Sequence, residues 1–507
     1  MEKTQDIKTF KKPPYLMIAV LFVGAFVAFL NNTLLNVALP SIMTAFDIKD
    51  YSTVQWLATG YMLVSGVLVP ASAYLITKFR TRPLFLLSMA IFVVGTALAA
   101  FAPSFGLLLT GRMIQAAGAA TMSPLLMNVM LISFPVEKRG QAMGIFGLVM
   151  ILAPAIGPTL SGWIVEHYDW SVLFKMILPI AIVALLLAVW KLEDVLPNRP
   201  AKIDIFSLVL STIGFGGLLY GFSTASSAGW DAVEVWGTIA IGAVGLVWFI
   251  VRQFRLEEPL LDLRIYTYPA YALASVVSMV LAVAMFSGMI LTPAYVQNVR
   301  GIEPFEAGLM MLPGAIVMGI MSPITGKLFD KLGPRILAVI GLAIATGATI
   351  GLGYLEVDST YTFIITMYTI RMFGISMVMM PIMTNGLNAL PNRLNPHGTA
   401  MNNTVQQVAG AIGTAVLVTI FNSHTKTRAA EIVADMKANA TPGAAQPSAE
   451  QLEQIQGQIM QQAMLDGITY SFFIAAGVTV VALIIALFLK RVDVTKRADF
   501  VGNTKEK

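Results

Sequence analysis

Cysteine is absent from this chain of 507 residues, which excludes disulfide staples, thiolate metal sites and cysteine nucleophiles. Charge is scarce as well. Only 12% of the residues are Asp, Glu, Lys or Arg, roughly half of what a soluble domain carries. Histidine is rarer still: His167, His397 and His424 fall at the ends of apolar runs or in loops and are assigned no role. What fills the chain instead is hydrocarbon. Hydrophobic residues make up 57% of it, in runs of about 20 that recur from end to end, the length that crosses a bilayer as a helix. The start, "MEKTQDIKTFKKPPY", is polar and basic, and the run behind it is too long for the core of a cleavable signal. A net charge of +5 does not point to nucleic acid, because the basic residues are spread over loops rather than gathered in one patch.

The apolar runs divide into fourteen expected spans, the first beginning near Tyr15 and the last near Ile468. Basic residues mark every second loop: Lys78, Arg80 and Arg82 after the second span, Lys138 and Arg139 after the fourth, Arg252 and Arg255 after the eighth, Lys331 and Arg335 after the tenth. By the positive-inside rule these loops and both termini are cytoplasmic. One outer loop is long. Residues 423–466 are polar and rich in Ala and Gln, and Ser448 with Gln451 has the spacing of a capping box, so a short helical excursion is expected there.

An internal repeat emerges when landmarks are aligned. "AYLITKFRTRP" answers to "GKLFDKLGPRI", "GRMIQAAGAATMSP" to "IRMFGISMVMMP", and "FPVEKRGQAMG" to "LPNRLNPHGTAMN". Ala73 thus pairs with Gly326, Arg112 with Arg371 and Gly140 with Gly398, at offsets of 253, 259 and 258. A near-constant offset means two homologous halves of six helices with a pair inserted between them. The fold expected is all-α, a polytopic membrane protein of the major facilitator type, whose site lies between the halves near the midplane. The divisions are a cytoplasmic N-terminus (1–14), an N-terminal bundle (15–192), a linker with inserted helices 7 and 8 (193–264), a C-terminal bundle (265–490) and a cytoplasmic tail (491–507).

Several motifs, in order and on the expected helices, give the chain a resemblance to the fourteen-helix drug:proton antiporters of the major facilitator superfamily. They are "NTLLNVALP", "QWLATGYML", "LLTGRMIQAAGAA", "GIFGLVMILAPAIGPTLSG" and "EEPLLDLRIY". The resemblance implies export of a small amphiphilic molecule across the bilayer by a monomer, with no metal or cofactor and the proton gradient as energy source. It also implies a coupling role for Arg112, an intramembrane cation that costs about 2.5–3.5 kcal/mol at a helix centre. Gln115 lies in the same motif, and Arg371 is the repeat partner. Gly144, Gly157, Pro158 and Gly162 match the antiporter motif of the fifth helix, where Gly permits close approach and Pro loosens the backbone ladder; packing alone explains most of this pattern. The loop motif of a glycine, an acid and a basic cluster is intact only in the second half, as Gly326, Asp330, Lys331, Gly333 and Arg335. In the first half Thr77 replaces the acid, so the latch is expected at Asp330, with Glu137 and Arg139 as the partner loop.

One departure decides the chemistry. The family carries an acid in the first helix, and its place here is Asn31, followed by Asn32. A buried carboxylate can pick up and release protons; an amide cannot. Helix 13 offers Asn402, Asn403, Gln406 and Gln407, again amides, while Glu137, Glu166, Asp169, Glu306 and Asp330 lie near span ends. The cleft is therefore expected to be neutral to positive and to favour neutral or anionic amphiphiles. Of the adjacent amides, Asn31 is the one expected to face it, with Trp56 and Tyr61 as aromatic walls. Proton coupling would then use an end-of-span acid or the substrate's own protonation. The missing acid also suggests an uncoupled or exchange-type carrier for a lipid or organic anion. A membrane-embedded enzyme is disfavoured because no catalytic set lies within the spans, and a sensor because the repeat and the hinge-type glycines are retained.

Overall fold

The computed structural model describes residues 14–49, 51–135, 138–195, 204–438 and 449–492. Glu137, Ser448, the first thirteen positions and the tail from 493 lie outside the described residues. Hydrocarbon offers the backbone no hydrogen-bond partner, so each apolar run must satisfy its own amides as a helix. Fourteen helices among the described residues are long and apolar enough to span a bilayer. The first six are α1 (Tyr15–Ala45), α2 (Tyr51–Lys78), α3 (Thr81–Ala100), α4 (Phe105–Ser133), α5 (Arg139–His167) and α6 (Ser171–Lys191). The inserted pair is α7 (Ile205–Ala228) and α8 (Val233–Arg255). The last six are α9 (Pro269–Ala294), α10 (Pro304–Leu332), α11 (Pro334–Leu352), α12 (Tyr361–Asn388), α13 (Asn395–Ala438) and α14 (Ala449–Ala486).

Packing follows the repeat. In the first bundle α3 lies on α4 and α6, α2 on α4, and α1 on α5 and α6; in the second α11 lies on α12 and α14, α10 on α12, and α9 on α13 and α14. Even the caps correspond. Ser104 accepts from the backbone of Leu107 at the start of α4, and Thr360 from Phe363 at the start of α12. The bundles meet along two seams, α5 against α10 and α2 against α13. At the first seam the backbones nearly touch: a Cβ on Gly144 would lie 2.5 Å from Ser322 O, so glycine there sets how closely the halves approach.

The inserted hairpin closes over the second seam. Its helix α7 packs against both α2 and α13, while α8 lies outside α7 and turns Trp236, Val244 and Trp248 outward. The stretch 423–466 differs from the expected short excursion. Its described residues continue the flanking helices instead, α13 running to Ala438 and α14 starting at Ala449. Arg428 joins the two through Asp466 at 2.8 Å, and His424 stacks on Tyr470 with centroids 4.2 Å apart. Arg428 also pairs with Glu431 of its own helix at 2.9 Å, three residues on, the spacing that supports a solvated helix.

Candidate transport pathway and gate

Arg112 is wholly buried, and its position on α4 faces α1 and α2. Its Nη1 donates to Gln115 Oε1 at 3.0 Å and to the Asn31 carbonyl at 3.4 Å, and its Nε donates to Leu57 O at 3.5 Å. The Tyr61 ring lies 4.4 Å from the guanidinium carbon, in cation–π range. Gln115 is the hub of the cluster. Its Oε1 also accepts from Asn31 Nδ2 at 3.2 Å, and its Nε2 donates to Thr96 Oγ1 at 2.8 Å, which donates onward to Phe92 O. Among the described residues nothing accepts from Arg112 Nη2, and no carboxylate pairs with the guanidinium.

The two adjacent amides take different environments. Asn31 is 2% exposed and packs into this cluster, whereas Asn32 is half-buried. Successive helix residues point about 100° apart, and the first of the two reaches α4, where Gln115 Oε1 accepts from both Asn31 and Arg112. Arg371 repeats the arrangement with other means. It is 1% exposed, its Nε donates to Thr349 Oγ1 at 3.1 Å, and its Nη2 donates to Ser287 Oγ at 3.2 Å and to Ala284 O.

The end of the molecule that carries Lys78, Arg139 and Asp330 is fastened between bundles. Asp330 of α10 accepts from the backbone N–H of Gly140 at 3.1 Å and of Gln141 at 3.2 Å. A carboxylate of one half thus caps the start of α5 in the other, where the exposed amides and the helix dipole both favour negative charge. Arg139 Nη1 donates to Asn388 Oδ1 at 3.2 Å, Ser322 Oγ to Gly144 O at 2.8 Å, and Asn128 Nδ2 to Thr399 Oγ1 at 2.7 Å. Arg491 donates to the carbonyls of Asp330 and Lys331 and so closes the end of α10. Lys331 and Arg335 are exposed.

The remaining motif residues divide between bundles and seam. Gly157 packs against Thr33 of α1, Gly162 faces Phe305 at the start of α10, and Gly326 meets the Gly140 backbone. Pro158 lies inside α5 with Pro154. Asn402 donates to Met383 Sδ at 3.1 Å, Asn403 is buried, and Gln406 and Gln407 are half-buried on α13. Trp56 faces the hairpin, its ring 5.6 Å from Tyr220 of α7, and the Tyr220 hydroxyl donates to Glu234 of α8. Sequence reasoning missed Thr96, Asn128, Asn388 and Thr399. These uncharged residues carry no motif signal, though Asn128 and Thr399 sit within a few residues of aligned landmarks.

Two bundles related by a sequence repeat, a fastened end and buried cations inside the spans define a transporter of the alternating-access class rather than an enzyme. The comparisons agree: the profile of the Major Facilitator Superfamily matches residues 21–414, and the chain belongs to that family. It is 48% identical to an uncharacterised MFS-type transporter of Bacillus subtilis, YhcA, over 85% of this chain and 81% of that one. It is 41% identical to the lincomycin resistance protein LmrB of the same species, over 94% and 96% of the two chains. Among solved structures, the human organic anion transporter MFSD10 superposes with a TM-score of 0.64 at 14% identity, covering 94% of this chain and all of that one, a likeness of fold.

Proposed function

We propose that this transporter exports small amphiphilic molecules from the cell across the cell membrane, preferring neutral or anionic ones. The single observation that carries the charge preference is Arg112, buried with its Nη1 on the neutral Gln115 Oε1 and no carboxylate beside it. A guanidinium in a low-dielectric site repels a second cation and attracts an anion. The name of the LmrB relative, a lincomycin resistance protein, supports a drug-like substrate. The basic loops support an orientation with both termini in the cytoplasm, so the end fastened by Asp330 is the cytoplasmic gate. The chain works as a monomer. Antiport against protons then runs through an end-of-span acid such as Asp330 or through the substrate's own proton. The absence of an acid at position 31 favours, as a second reading, an uncoupled or exchange-type carrier for a lipid or organic anion.

Transport of paired substrates in proteoliposomes, one anionic or neutral and one cationic, tests the preference. The wild type should move the anionic or neutral partner faster. Asn31→Asp should raise the cation-to-anion ratio by about tenfold, because a carboxylate beside Arg112 cancels its field by at least about 1.4 kcal/mol. A wild type that prefers dicationic dyes would overturn the reading. Imposing and collapsing a proton gradient separates antiport from exchange.

A further inference from the structure

The inserted hairpin touches both bundles, but by different means. Toward the second bundle it is hydrogen-bonded at both of its ends. At the end opposite Asp330, Trp230 Nε1, in the turn between α7 and α8, donates to Thr419 Oγ1 of α13. At the fastened end the segment 256–268 joins α8 to α9, and its Asp262 N donates to His397 Nδ1 at 3.1 Å. His397 lies in the first turn of α13, at the position that answers to Arg139. The segment then runs straight into α9. Its Tyr266 ring meets Tyr271 edge-on with centroids 5.6 Å apart, and the Tyr266 hydroxyl lies 3.2 Å from Ser275 Oγ.

The segment is also bound to the hairpin itself. Leu261 N donates to Gln253 Oε1 at 3.2 Å, Gln253 Nε2 to Ser207 Oγ at 2.7 Å, and Ser207 Oγ to Asp204 Oδ2 at 2.6 Å. Arg252 of α8 completes the chain by pairing with Asp204 of the α7 cap. Hydrogen bonds thus tie α7, α8 and the segment to one another and to α13.

Toward α2 the hairpin presents a smooth face. Leu219 lies over Gly66, Val67 over Gly216, and the Tyr220 ring beside Trp56. Ala73 and Tyr74 share an apolar cluster with Leu260, Leu261 and Leu263, which extends to Ala400 of α13. Hydrocarbon tails replace contacts of this kind readily, because lipid is as apolar as leucine. A hydrogen bond broken in the same medium leaves its donor without a partner. One interface can slide, and the other resists.

We propose that α7–α14 move as one body, and that α2 slides over α7 when the fastened end opens. The face between α2 and α7 is then a slip plane. The α5–α10 seam is its opposite, because Asp330 and Ser322 bind the halves there through hydrogen bonds.

Distances between spin labels read this motion and do not depend on what is transported. The chain holds no cysteine, so labels can be introduced in pairs by Phe79→Cys beside the end of α2, Val251→Cys on α8 and Ile336→Cys on α11, all exposed positions. The full-length protein in nanodiscs is measured with Asp330 intact, as Asp330→Ala, and as Asp330→Ala with Thr399→Val, with thermal melts to verify folding. On opening, the Phe79–Ile336 and Phe79–Val251 distances should both lengthen, by about 5 Å or roughly one helical turn, while Val251–Ile336 keeps its original value. The proposal is overturned if Val251–Ile336 lengthens with the opening, or if Phe79–Val251 stays fixed while Phe79–Ile336 grows. It is overturned equally if all three distances stay fixed in well-folded variants, since a slip plane would not hold the end shut.

Discussion

Arg112 and Arg371 answer to one another across the repeat, and both are buried cations with no carboxylate partner among the described residues, yet they are held by different chemistry. Arg112 rests on a side-chain amide, an aromatic ring and two carbonyls of neighbouring helices. Arg371 is pinned by two hydroxyls and the Ala284 carbonyl. A hydroxyl or a main-chain carbonyl can satisfy a guanidinium but cannot exchange a proton near neutral pH. An amide differs from a carboxylate by a single substitution. The first-half site is thus the one whose charge a single amide-to-acid substitution can change.

Replacing each arginine by leucine breaks or keeps this distinction. Arg112→Leu should lower transport about 100-fold, because it removes the charge proposed to select the substrate, while Gln115 and Asn31 keep each other as partners. Arg371→Leu should leave transport within about threefold, since the Ser287 and Thr349 hydroxyls keep the main-chain carbonyls of Ala284 and Ala345 as partners. Counterflow in proteoliposomes, with detergent thermal melts as the folding control, measures both. Equal loss in two well-folded variants would dissolve the distinction.

The end that carries Asp330 shows the same asymmetry at smaller scale. Asp330→Ala leaves the Gly140 and Gln141 amides without their cross-bundle acceptor and should cost the closed gate about 0.5–2 kcal/mol, the usual worth of a cap. That is up to about a thirtyfold shift toward the open gate. Thr77→Asp restores the missing acid but finds Leu261 and Leu263 already against Ala73 and Tyr74; its effect should stay under about threefold. Because the chain holds no cysteine, spin labels at the exposed positions Phe79 and Ile336 can report the opening without background substitutions. A large shift from Thr77→Asp would mean that the first half needs its acid after all.

Much of this was legible in the sequence, and the reason is the solvent. Hydrocarbon forces every span to be an uninterrupted apolar helix, so the fourteen spans and the offset between Arg112 and Arg371 needed no coordinates. The intact motif around Asp330 was equally visible, and so was the amide at position 31. What stayed hidden depends on helix rotation and on contacts between distant segments. Nothing local tells Asn31 from Asn32; Gln115 on another helix does. Nothing near Trp56 in the sequence shows that α7 brings Tyr220 against it, and no periodicity announces where an inserted hairpin will lie. His397 could have been noticed, because it aligns with Arg139, but the aligned position held a different charge and the alignment alone gave it no partner.

The inserted hairpin lies outside the repeat, and its smallest measurable tie tests whether it holds its own shape. Asp204 caps α7 through Phe206 N and pairs with Arg252 of α8 at 2.8 Å. The Arg252 hydrogen bond, aided by Ser207, holds its carboxyl down to about 2. A carboxylate depressed in this way contributes stability in full above the ordinary value of about 3.9, and that contribution vanishes as the pH falls through about 2. Asp204→Asn keeps a good capping residue and loses only the charge, so at neutral pH it should cost less than about 1 kcal/mol, the range of pairs that still touch water. The melting temperatures of wild type and variant should converge between about pH 4 and about pH 2. A gap that stays constant through that range would mean that the cap and the packing of α7 on α8, rather than the ion pair, join the two inserted helices.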